Sequence, residues 1–156
     1  MGSRREARRT AIDILYQADV TDADPLDVLG GWLDAGRQVP SFGRELVEGV
    51  AGTIVEIDGI LAEHAQGWTV ERMAALDRTI LRVAAFELVH RPDVPRGAAI
   101  SEAVEAAGEL SADESGRFVN GILGAIARAR APENAPENAT EQEPEKPEPE
   151  KEEEEG

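Results

Sequence analysis

An all-α fold follows from three features of the sequence. Apolar residues recur at helical spacing through most of residues 4–126, strand-like alternation never lasts more than a few residues, and the 41% hydrophobic fraction is mostly Ala, Leu, Ile and Val with only 4% aromatics. Sandwiches and barrels draw instead on β-branched and aromatic residues in short alternating runs. Short connections between the apolar segments fold them back on one another, so a compact bundle of about seven helical segments is expected.

The first helix is expected from about Arg4 to Ala18, with Ala7, Ala11, Ile14, Leu15 and Ala18 on one stripe. Asp24 followed by Pro25 reads as an N-cap and first helical residue. They open a second helix with Leu26, Leu29, Trp32 and Leu33 inward that stops near Gly36. Ser41 is placed to cap a long third helix through Phe42, Leu46, Val50, Ile54, Ile57 and Leu61. Gly49, Gly52 and Gly59 within it cost about 1 kcal/mol each against Ala, which close backbone packing would offset. Thr69 can cap a short turn ahead of Leu76 to Val89, a stretch apolar around most of its circumference that ends before Pro92 and belongs at the centre of the bundle. After Val94 and Pro95, Ala98 to Glu109 reads as amphipathic, with Ile100, Ala103, Val104 and Ala107 inward. Ser111 and Glu114 have the spacing of a capping box, ahead of a last helix carrying Phe118, Val119, Ile122, Leu123 and Ile126.

Residues 1–131 are expected to form one folded domain and residues 132–156 a disordered acidic tail. The tail repeats Ala-Pro-Glu-Asn and grades into a terminal Glu run, a composition that cannot bury a core. It holds 11 Glu and 2 Lys, nine net negative charges of the chain's total of −16, leaving a mildly acidic domain at −7. A solubilising tail is one reading; an acidic decoy that competes with nucleic acid for arginines is the other.

Several function classes drop out. Zero Cys removes disulfides, thiolate zinc sites and cysteine nucleophiles, and suits a reducing cytosol, so a cytoplasmic location is expected. No run of 18 apolar residues is present to span a membrane. Every positive residue before the tail is arginine, which leaves no lysine there for a P-loop or a Schiff base. His64 and His90 belong to no spaced metal motif and fall near helix ends, where a cation suits the dipole. No enzyme, metal or cofactor is expected.

The informative cluster is Arg4, Arg5, Arg8 and Arg9, followed by no further basic residue until Arg37. At about 100° per residue, Arg5, Arg9 and Tyr16 share one azimuth, while Arg4 and Arg8 lie on that of Leu15. Because arginine interrupts the apolar stripe there, the first two turns are expected to project beyond the bundle and offer guanidinium groups to phosphate, with Tyr16 as a stacking surface. A solvated terminus, with Glu6 and Asp13 as intrahelical partners, is the plainer alternative. Glu87 falls on a stripe that ought to be buried, so it needs an arginine or a backbone N–H from a neighbouring helix.

Taken together the motifs resemble the NusB family of bacterial transcription antitermination factors. The resemblance begins with Arg4-Arg5-Glu6-Ala7-Arg8 leading into Ile14-Leu15-Tyr16 and is strongest from Leu76 to Leu88. It closes with Asp93-Val94-Pro95, Ala99 to Glu105 and Arg117 to Leu123. It implies an all-helical fold of two small subdomains and a non-enzymatic role. The family pairs with NusE, a small-subunit ribosomal protein, and the pair binds single-stranded boxA RNA. With RNA polymerase and other Nus factors it then reads through terminators in ribosomal RNA operons. Carried over by position, the resemblance assigns RNA binding to Arg4, Arg5, Arg8, Arg82 and Phe118, and the NusE surface to Tyr16, Asp77 and Glu114; Arg9, which stands where the family often has an acidic residue, joins the RNA set as part of the arginine cluster. Gly108 and Glu109 stand where relatives often carry lysine and a small or polar residue, which implies weak RNA binding without NusE. The competing reading is a helical protein-interaction module or a homodimer with no direct RNA contact.

Overall fold

The computed structural model describes residues 3–130, and the tail expectation lies outside them. The described residues form seven α-helices and one 3-10 turn: α1 (Arg4–Thr21), α2 (Pro25–Asp34), α3 (Ser41–Gly52), α4 (Ile54–His64), the turn Val70–Arg72, α5 (Ala75–His90), α6 (Arg96–Leu110) and α7 (Ser115–Ala129). Helices α1 to α3 pack on one another, as do α4 to α7, and α5 touches α1, α3, α4, α6 and α7. Ten of its residues are buried, as its all-round apolar pattern requires.

Local chemistry sets the helix ends. Ser3 and Glu6 form a reciprocal capping box on α1, and Asp22 closes it in the left-handed region at φ 57°. Asp24 accepts from the Leu26 N–H at 2.8 Å with Pro25 as the first helical residue. The second helix buries Val28 and Leu29, whereas Leu26 and Leu33 are exposed, because only one narrow side of this short helix meets α1 and α3.

Four expectations are corrected. The long third helix is two helices, broken at Thr53, whose φ of −127° leaves the helical region and whose hydroxyl donates to the Gly49 carbonyl at 2.7 Å. Ser41 is therefore a first-turn residue preceded by Pro40, with no side-chain cap. Close packing applies to Gly49, where a Cβ would run into the Phe86 ring, but Gly52 and Gly59 face open space. The capping box expected at Ser111 and Glu114 does not form. The link from α6 continues to Glu114, α7 begins at Ser115, and the Ser115 hydroxyl donates instead to Asp77 Oδ2 at 3.1 Å.

Candidate nucleic-acid interface

The first two turns of α1 do not project. Ala7 and Arg8 are buried, and the arginines reach neighbouring helices. Arg8 Nε lies 3.0 Å from both Glu87 oxygens and its Nη2 2.8 Å from Oε1, deep between α1 and α5. The two polar residues that broke apolar stripes on separate helices are thus partners. The stripe of α1 is completed by an ion pair rather than interrupted, which is why the helix stays packed to its N-terminus. Arg8 is not free for a ligand, and its expected contact with RNA gives way to a structural role.

The other three arginines sit at the surface against carboxylates. Arg4 donates to Asp93 at 3.2 Å and lies 4.4 Å above the Phe42 ring. Arg5 makes a two-point pair with Glu105 at 2.9 and 2.8 Å, with Glu102 and Glu109 at 3.6 and 3.5 Å. Arg9 donates to Glu109 at 2.9 Å. Hydrogen bonding and the charge of Glu105 hold the Arg5 pKa above its ordinary value, and the same bonds hold Glu105 below its own. The Arg4 and Arg5 side chains remain 47% and 42% exposed, so a phosphate can approach them from solvent.

Arg82 belongs to a different network. It donates to Asp58 on α4 through Nε and Nη2, both at 2.8 Å, and to Asp19 on α1 at 3.4 Å. Burial alone would lower its pKa, but the bonds and charges of Asp58 and Asp19 outweigh that and raise it. Arg78 adds a bond to Asp19. Like Arg8, Arg82 ties helices together, and its guanidinium is already occupied on two sides.

The remaining expected positions gather where α5 and α7 begin and where α1 ends. Asp77 is buried against Ser115 in the first turn of α5, Glu114 is exposed just before α7, and Phe118 is half-buried one turn later. Tyr16 is 39% exposed, one turn before Asp19. Following Arg5 and Arg9 along their side of α1 leads to Tyr16, so these residues share one side of that helix.

One residue beside this face escaped the sequence reading. Trp68 is 53% exposed, and its ring meets Phe118 edge-on with centroids 5.9 Å apart. A signal for it existed, since a tryptophan between Gly67 and Thr69 belongs to no apolar helical stripe and so has no core to enter. His64 and His90 lie in last turns as expected, His90 2.8 Å from Glu56. Among the described residues no cluster of three or more His, Cys, Asp or Glu could hold a metal ion, and no helix is long and apolar enough to cross a membrane.

Comparison with known proteins gives consistent matches. The model of the NusB family matches residues 5–128. The protein of Saccharopolyspora erythraea named transcription antitermination protein NusB is 47% identical over 130 residues, covering 81% of this chain and 88% of that one. NusB of T. maritima superposes with a TM-score of 0.75 at 31% identity, covering 87% of this chain and 95% of that one. A chain from the crystal structure of antitermination factors NusB and NusE in complex with dsRNA gives 0.72 at 26% identity, with coverages of 81% and 96%.

Proposed function

The chain belongs to the NusB family, and from that premise we propose that it is a transcription antitermination factor, a binding protein and not an enzyme. It engages boxA RNA together with NusE and, in the cytoplasm, supports read-through of ribosomal RNA operons by RNA polymerase with other Nus factors. The observation that carries the RNA part is the exposed edge of α1, where Arg4, Arg5 and Arg9 are held at the surface by carboxylates instead of in the core. Guanidinium pairs with phosphate in the same two-point geometry it uses for carboxylate. RNA binding at this edge is therefore an exchange of Asp93, Glu105 and Glu109 for phosphates. The displaced carboxylates then face a polyanion, so the exchange is nearly balanced and the chain alone binds weakly. NusE, docked near Tyr16, Asp77 and Glu114, supplies the surplus. Phosphate contacts position the strand, and unstacked bases are read beyond them, Phe118 among the contacts.

The test is RNA retention by the chain with NusE across a salt series. With three or so phosphates neutralised, log K falls against log salt with a slope of about −2 to −3. Arg5→Ala with Arg9→Ala flattens that slope by about 1.4, at one phosphate per arginine and about 0.7 per phosphate on a single strand, with helicity and NusE binding unchanged. A slope near zero in the parent chain ends the arginine mechanism.

A second reading, a protein-interaction module or homodimer without RNA, is favoured by one feature. A groove of about 470 Å³ lies where the end of α1, the start of α2 and the end of α3 meet, lined by apolar Leu15, Val50 and Ile54 together with Asp19, Asp22 and Glu48. Sedimentation against concentration, with and without a boxA oligonucleotide, separates the readings: RNA that never comigrates supports the second.

A further inference from the structure

We propose that Trp68 is the stacking platform for one unstacked RNA base, with Arg72 and Arg117 meeting the phosphates beside it. The inference rests on the RNA reading above and extends it to a site which neither the arginine cluster nor the resemblance assigned.

Backbone geometry presents the ring. Gly67 adopts φ +79°, a conformation open to glycine at no steric cost. The Trp68 N–H then closes the turn onto the Ala65 carbonyl at 2.9 Å. The indole stays about half exposed, its ring meeting that of Phe118 with the two planes 68° apart. Trp32, the other tryptophan, shows what a satisfied indole looks like here: its N–H donates to Gln17 at 3.0 Å and Arg37 covers its face at 3.3 Å. Trp68 has neither among the described residues. The edge-to-face pair orients both rings, and the 53% exposure of Trp68 leaves indole surface for a planar ligand.

Charge points the same way. Of the 14 arginine side chains, only those of Arg44, Arg72, Arg117 and Arg128 make no ion pair, hydrogen bond or ring contact among the described residues. Two of these four accompany the aromatic pair, Arg72 closing the 3-10 turn that begins two residues after Trp68 and Arg117 directly preceding Phe118. Both side chains are exposed. At Arg5 a phosphate must displace Glu105, whereas at Arg72 and Arg117 it displaces only water. Stacking rings beside uncommitted guanidinium groups are the combination that binds single-stranded nucleic acid.

The test uses the full chain with NusE and a single-stranded oligoribonucleotide carrying boxA. In the Trp32→Phe protein Trp68 is the sole tryptophan, and its emission is expected to be quenched as RNA is added. Trp68→Ala is expected to weaken RNA binding by about 5- to 150-fold, the usual range for removing a base-stacking aromatic, while Trp68→Phe retains most of it. Arg72→Gln and Arg117→Gln each flatten the salt slope by about 0.7, the single-strand increment for one phosphate. Unquenched emission, or unchanged affinity in a folded Trp68→Ala protein, overturns the proposal and leaves the RNA reading standing. A Trp68→Ala protein that loses NusE but binds RNA normally assigns the ring to the protein partner and also overturns it. Failure of the parent chain to retain RNA with NusE present defeats the RNA reading and this proposal together.

Discussion

Two arginine–glutamate pairs on α1, three residues apart, respond to mutation in opposite ways because their surroundings differ. Arg8 and Glu87 are both buried, so removing one charge strands the other in the core. Glu87→Ala should cost about 3–5 kcal/mol in urea unfolding, and Arg8→Met with Glu87→Leu should recover most of it. Arg5 and Glu105 face solvent, and Glu105→Gln should leave stability nearly unchanged. The same substitution frees Arg5 from its strongest partner and should tighten RNA binding in the presence of NusE; unchanged or weaker affinity would remove the exchange mechanism. Acid acts on the same carboxylate. Because Arg5 holds Glu105 below its ordinary 4.5, the pair's contribution to stability is present above that pH and lost as pH falls through the depressed value. Because the pair is exposed, that contribution is small, and acid unfolding of the Glu105→Gln protein should follow that of the parent closely.

At the scale of elements, helical periodicity located all the helical segments, because each buries a stripe against the bundle, but it ran α3 and α4 together as one helix. Where helices stop was less legible. Nothing as strong as proline marks the break at Thr53, and the bond from its hydroxyl to the Gly49 carbonyl is one that Thr79 also makes to Ala75 inside the unbroken α5. The spacing of a capping box occurs at both Ser3–Glu6 and Ser111–Glu114, but only the first has its serine in the extended conformation with its hydroxyl on the third helical N–H. The site was legible to the same degree. Both polar residues on apolar stripes, Arg8 and Glu87, stood out, but periodicity along one helix cannot name a partner 79 residues away. The glycines of the two middle helices test how packing divides them. Gly49→Ala should destabilise by about 1–3 kcal/mol because Phe86 occupies the space. Gly59→Ala, exposed within α4 with nothing near its Cβ, should stabilise by about 0.5–1 kcal/mol. Denaturant midpoints shifting the same way for both would contradict this division.

For the whole molecule, the governing fact is that the proposed binder of polyanions is itself negative. The chain carries −16, nine of those charges after Ala131, and most arginines are spent on internal carboxylates. Specific contacts must therefore act against an unfavourable field whose range is set by salt, about 30 Å at 0.01 M and about 10 Å at 0.1 M. A chain ending at Ala131 loses more than half of that charge without losing any α1 arginine. If the tail acts only through the field, the shortened chain should bind boxA RNA more tightly at low salt, with the advantage shrinking as the screening length falls. If the tail instead competes in direct contact for the guanidinium groups, part of the gain should persist at high salt, because a tethered competitor keeps a high local concentration. Gel-shift titrations of both chains with NusE at several salt concentrations separate the two. Identical affinities at every salt would show that charge beyond the bundle does not reach the RNA site, and binding would then be governed by the local balance of arginine and carboxylate along α1 and α6.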